Sequence, residues 1–194
     1  QYRPTRDLLH VSGLLLTGDT LDVFVCHFPS RSGGAKESEP YRLYVAHILR
    51  TEVDSIMNIR SHPQAIIMGD FNDYPTNQSI LKILKAEAPP VKTNDLASTT
   101  DSANASTITP SSLKLYHLLA RKAKSKNFGS YKFRGEWGLL DHLIVSGTLL
   151  NQSNHFFTSE EKANVCLLPF LLKDDEKYGD KEPCLLYTSP SPRD

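Results

Sequence analysis

Within the first 70 residues the apolar spacing changes period twice, and that change sets the class of fold. Residues 8–16 and 21–28 are apolar runs on either side of Thr17-Gly18-Asp19-Thr20, whose turn chemistry predicts an antiparallel hairpin. After a polar loop containing Gly33-Gly34, the residues Leu43, Ala46, Leu49, Val53, Ile56 and Met57 recur at helical spacing. This predicts a helix over about residues 40–60 with one buried face, opened by Ser38 or Glu39 with Pro40 in its first turn, and closed by Ser61-His62-Pro63. Residues 65–68 are a short apolar run bounded by turn signals, as a buried strand requires. Strands, a long helix, then a buried strand define an α/β chain.

The remaining elements are shorter. Residues 73–77 read as a loop and 79–86 as a short helix. Residues 92–110 are rich in Ser, Thr, Asn and Asp, which predicts an extended surface loop. Residues 111–124 read as helical, and 131–133 and 140–146 as strands. The length of 194 residues suits one ordinary domain. The formal net charge is zero, which argues against tight, sequence-independent coating of DNA without excluding nucleic acid as a partner. Cys26, Cys166 and Cys184 show no Cys-x-x-Cys spacing, so neither a zinc site nor a disulfide framework is expected. No apolar stretch is long enough to span a membrane.

Three polar groups fall at strand ends, where open α/β sheets place their ligands. In Gly69-Asp70-Phe71-Asn72 the alternation of a strand turns Asp70 and Asn72 one way and Phe71 the other. A carboxylate and an amide on one side suit a hard cation such as Mg²⁺, or a phosphate and the water that attacks it. Gly, Asp and Asn are also turn residues, and this motif alone leaves the two readings level. His27 ends the second apolar run and is placed to donate to a phosphate oxygen or protonate a leaving group, although a strand-end histidine held by backbone is the simpler reading of that residue alone. Asp141 opens the strand over 140–146, where it either orients a histidine or merely caps the strand. His142 lies on the opposite face by alternation and receives no catalytic role. Arg31 follows His27 closely enough to meet a substrate phosphate. Lys36, the basic run 121–126, Trp137 and the mixed-charge run 173–177 read as solvated or packing residues. Independent turns have no reason to share strand-end placement, so the three sites together favour chemistry.

Together Gly69-Asp70-Phe71-Asn72, the strand-end His27 and the strand-opening Asp141 resemble the endonuclease/exonuclease/phosphatase superfamily, which is DNase I-like. Its members include pancreatic deoxyribonuclease, apurinic endonucleases, inositol-polyphosphate phosphatases and bacterial sphingomyelinases. The segments His27-Phe28-Pro29-Ser30-Arg31-Ser32-Gly33-Gly34 and Gly135-Glu136-Trp137-Gly138-Leu139-Leu140-Asp141-His142 are most similar to Bacteroidetes-type members. The resemblance implies a four-layer α/β sandwich of two mixed sheets flanked by helices. It implies a metal-dependent phosphoesterase, with Mg²⁺ or Mn²⁺ as cofactor and a phosphodiester or phosphomonoester as substrate. By motif match Asp70 would activate or position the nucleophilic water and contribute weakly to the metal. Asn72 would bind phosphate, His27 would contact it, and Asp141 would pair with a histidine.

This chain departs from the family pattern at both ends. The early Asn and the metal-binding Glu of the family have no counterpart, nor has its late Ser-Asp-His segment. The expectation is therefore a partial domain over residues 1–183, truncated at both ends, monomeric, poorly soluble and by itself inactive. Residues 184–194 are expected to be a non-native, adapter-derived tail. A nucleic acid, a lipid headgroup and a small phosphate ester all remain open as substrates, and export from a bacterium is compatible with the resemblance. The alternative is a non-catalytic binding module or pseudoenzyme on the same fold.

Overall fold

The computed structural model describes residues 6–91 and 111–184. The expected hairpin forms from β1 (Leu9–Leu14) and β2 (Thr20–His27), antiparallel and registered Leu9 to Val25 and Val11 to Val23. Helix α1 (Ala35–Ile59) carries the chain across to β3 (Gln64–Asp70), which lies parallel to β2. The helix begins five residues earlier than its apolar spacing suggests, because Gly34 at φ 118° lets the loop turn directly into it. Pro40 consequently sits inside the helix rather than in its first turn. A single π-helical turn, Ser79–Leu84, follows β3 and ends at Lys85 in the left-handed region.

The largest departure from expectation falls on residues 111–124. They form the short strand β4 (Leu115–His117) and a 3₁₀ turn at Lys122–Lys124, not a helix. Leu115, Leu118 and Leu119 fit a helical face by spacing, but Leu115–His117 pair with a distant strand, and Leu115, Tyr116, Leu118 and Leu119 are all buried around that pairing. β4 is held by β7 (Asp141–Ser146), which also pairs antiparallel with β3. The main sheet is thus mixed and five-stranded, ordered β1-β2-β3-β7-β4. Two ribbons lie outside it: β5 (Tyr131–Phe133) with β6 (Glu136–Gly138), and β8 (Leu172–Asp174) with β9 (Lys181–Pro183). The fold is α/β as expected. Of the two large sheets implied by the resemblance, the described residues form one. The expected surface loop at 92–110 and all of the 184–194 tail except Cys184 lie outside the described residues.

One face of the sheet is sealed. Phe24, Cys26, Ile67 and Ile144 project into a core completed by Val45, Leu49 and Val53 of α1 and by Phe71 and Ile80. At about 25 cal/mol per Å² of apolar surface, each such side chain contributes roughly 1.5–3 kcal/mol. Arg42 is also fully buried within the stripe expected to be apolar, and Leu43 moves to the flank of the helix. On the opposite face Tyr116, Leu118, Leu139 and Leu149 cover only the end nearer Leu21 and Ile66. Leu9, Val11 and Val25 stay exposed beyond it.

Candidate active site

The register of three adjacent strands lays the expected residues in one row. His27 ends β2 and pairs with Asp70 at the end of β3, and Asp70 pairs with Asp141 at the start of β7. Gly69 makes the approach possible. It adopts φ 130°, and a Cβ there would lie 1.9 Å from the Cys26 carbonyl oxygen. The Nε2 of His27 stands 3.8 Å from Oδ2 of Asp70. Asn72 is left-handed at φ 48°. Its amide N–H donates to Oδ1 of Asp70 at 2.8 Å, and its side-chain amide donates to the Phe28 carbonyl at 3.0 Å. The loop thereby ties together the ends of β2 and β3, while Phe71 points into the sealed core.

Burial raises the Asp70 acid above the usual carboxylate range, and Asp141 opposite raises it further. The Asn72 N–H, His27 and Arg6 oppose these effects without cancelling them. Two carboxylates directly opposite each other on neighbouring strands are destabilising. A fold that keeps them there points to function. Among the described residues no side chain donates a hydrogen bond to the Asp141 carboxylate, so the histidine partner implied by the resemblance is not among them. The Asp141 N–H is accepted by the Ser130 hydroxyl at 3.2 Å, which roots the β5–β6 ribbon beside the site.

Sequence reasoning missed the group that fixes this loop. Asp73 is buried, with Oδ1 2.8 Å from Nε of Arg42 and Oδ2 accepting from the Ser79 hydroxyl at 2.7 Å. Arg42 in turn donates to the Ser38 hydroxyl and to the Ala35 carbonyl. Arg31, expected at the substrate, is turned toward this loop. It lies 3.8 Å from Asp73, donates to Asn77 at 3.4 Å, and sits 4.6 Å above the Tyr74 ring. A cation in the apolar stripe of α1 and an acid directly after the motif were the available signals.

Beneath the loop lies a buried histidine pair. The Leu119 N–H donates to Nδ1 of His117, so Nε2 of His117 carries the proton and donates to Nδ1 of His142. The remaining Nε2–H of His142 then donates to the Asp73 carbonyl at 2.8 Å. Burial pushes His117 down to about 3 and His142 down to about 4, so both are neutral at pH 7. The face expected for His142 is the one observed.

A hard cation needs oxygen ligands, and Mg²⁺ is commonly held by one or two carboxylates with waters and substrate phosphates. Asp70 and Asp141 meet that minimum. Among the described residues, however, no group of three or more His, Cys, Asp or Glu is disposed to hold a metal ion. The fit of these residues to a cation is therefore partial.

The chain is thus a mixed-sheet α/β scaffold with an acidic, histidine-bearing row at its strand ends. The chain belongs to the Endonuclease/Exonuclease/phosphatase family, whose sequence pattern matches residues 1–189. Members of this family are typically hydrolases of phosphoester bonds and generally use divalent metal ions. Among solved structures, the human Nocturnin catalytic domain with bound sulfate is similar at 22% identity and a TM-score of 0.39, over 68% of this chain and 37% of that one. The chain therefore spans little more than a third of that domain. No curated protein matches it. No described helix is long and apolar enough to cross a membrane.

Proposed function

We propose that the row His27–Asp70–Asp141 is the water-activating side of a Mg²⁺- or Mn²⁺-dependent phosphoesterase site. The observation that carries this reading is the paired register of the three residues at one end of one sheet face. A raised Asp70 acid makes a better proton acceptor than an ordinary carboxylate. Asp70 takes a proton from water as its oxygen bonds to phosphorus. The P–O bond to the leaving group breaks, and the leaving oxygen takes a proton from solvent water. His27, half exposed beside Asp70, donates to a non-bridging phosphate oxygen. Asp141 keeps the site acidic and supplies a second carboxylate toward the cation. Arg31 acts through the loop that it braces, by its contacts to Asn77 and Asp73. A cation held with the help of Asp70 and Asp141 would supply charge neutralisation at the phosphate.

Two carboxylates are a thin ligand set, so we propose that the 194-residue chain by itself turns over negligibly and acts as part of a larger site. We also assign residues 1–183 to the catalytic domain, as a monomer, and leave 184–194 outside it. The test is hydrolysis of bis(p-nitrophenyl) phosphate by the full-length gene product with Mg²⁺. Asp70→Asn should lower turnover at least ~100-fold with the fold intact. Turnover unchanged by Asp70→Asn would overturn the assignment. Absence of turnover in the full-length product would favour the non-catalytic binding module.

A further inference from the structure

Resting on the phosphoesterase reading, we propose that the β5–β6 ribbon is a stacking shelf that selects substrates with unpaired nucleobases. The shelf starts at the site. Ser130 binds the Asp141 amide, and the next residue, Tyr131, pairs with Gly138. Gly138 lies against Tyr74, and a Cβ there would sit 2.8 Å from the Tyr74 ring, so the missing side chain lets that ring seat closely on the ribbon. The rings then lead outward. Tyr131 and Phe133 share one face of β5, 6.2 Å apart and only 11° from parallel. Both are open to solvent, at 37% and 57% exposure. The turn after them is Arg134-Gly135, both at positive φ, and it folds the Arg134 guanidinium to 5.2 Å from the Phe133 ring. Arg31 over Tyr74 repeats that pairing at the site end.

Charge narrows the occupant. Phe133 and Arg134 border a cleft of about 820 Å³ between the two ribbons. Its acids Asp174, Asp175 and Glu182 are each paired to a lysine, namely Lys181, Lys132 and Lys173. Arg134 and Lys177 are balanced in number by Glu136 and Glu176, so the surface has no strong field of either sign. Duplex binding relies on many cations against phosphates, which this surface lacks. Stacking on exposed rings works for any base, and each stacked base adds affinity that a duplex, with its bases already stacked, cannot gain. The occupant is therefore a short single-stranded phosphodiester carrying bases.

The experiment is fluorescence anisotropy of labelled twelve-residue oligothymidylate with the full-length gene product in EDTA, which separates binding from hydrolysis. An abasic oligomer of equal charge and a duplex serve as comparisons. Oligothymidylate should bind at least tenfold more tightly than either. Tyr131→Ala and Phe133→Ala should each weaken it roughly tenfold, with thermal midpoints unchanged, and Tyr131→Phe should restore it. Equal binding of the abasic oligomer, or indifference to both alanine variants, would overturn the shelf. So would loss of vesicle binding in those variants with oligomer binding intact, which would mark a lipid-facing surface. Failure of Mg²⁺-dependent hydrolysis alone would overturn the phosphoesterase reading and leave the binding result standing.

Discussion

The two faces of the five-stranded sheet are built from alternate residues of the same strands, yet they are used differently. Phe24, Cys26, Ile67 and Ile144 face α1 and are closed from solvent, whereas Val25, His27, Asp70 and Asp141 face outward. In a strand a slip of one residue exchanges the faces. The sealed side therefore fixes the register, and the register alone lines up His27, Asp70 and Asp141 across three strands. Packing on one face is what makes a repulsive carboxylate pair tolerable on the other.

If this division holds, the largest effects come from the polar group hidden on the sealed side. Arg42→Ala leaves the Asp73 carboxylate buried without its main cation and should cost about 3–5 kcal/mol in urea unfolding. A loss below 1 kcal/mol would mean that water reaches Asp73. Next comes the apolar contrast. Ile67→Ala should cost about 2–5 kcal/mol, whereas Val25→Ala on the same sheet should cost less than about 1 kcal/mol. Equal losses would show that the outward face is also covered.

A smaller effect is expected from acid. His117 and His142 have folded-state values near 3 and 4, below the ordinary 6.5 of the unfolded chain. Below pH 6.5 the unfolded chain binds protons that the folded one refuses. Their contribution is thus complete above pH 6.5 and falls as pH drops toward 4, by up to roughly 1.4 kcal/mol per pH unit for each histidine. Asp70 works in the opposite sense near the carboxylate range, because its folded value is raised. The net slope between pH 7 and 5 should therefore belong to the histidines. His142→Gln, whose side-chain amide can still donate to the Asp73 carbonyl, should reduce it by roughly half, with His117 supplying the rest. An unchanged slope in that variant would place the acid sensitivity elsewhere.

The legible parts of this molecule were those written in local patterns. The hairpin, the helix and the run ending in Gly69-Asp70 each show a period or a turn signal. The strand ends with His27, Asp70 and Asp141 follow from those patterns plus alternation. Arg42 and Asp73 were not legible, because a buried ion pair reads as two surface charges until the fold joins positions 31 residues apart. The strand at Leu115–His117 was not legible either, because its β identity comes from β7, which lies more than 20 residues downstream. Arg31 follows His27 closely in sequence, but its direction is set by Asp73, Asn77 and Tyr74.

The smallest expected effect tests the open face most sharply. Val11 and Val25 lie in adjacent rows of the β1–β2 hairpin, with exposures of 51% and 40%. Threonine keeps their branched shape and strand preference and changes one methyl to a hydroxyl. On a solvated face that hydroxyl finds water, so Val11→Thr and Val25→Thr should each shift stability by no more than about 0.5 kcal/mol. Against a second apolar layer the hydroxyl would lose its partners, and the cost would rise to roughly 1–3 kcal/mol. Urea unfolding of each variant separates the cases. A near-zero shift would show the face open to solvent beside the site, and a clear loss would show that it is covered.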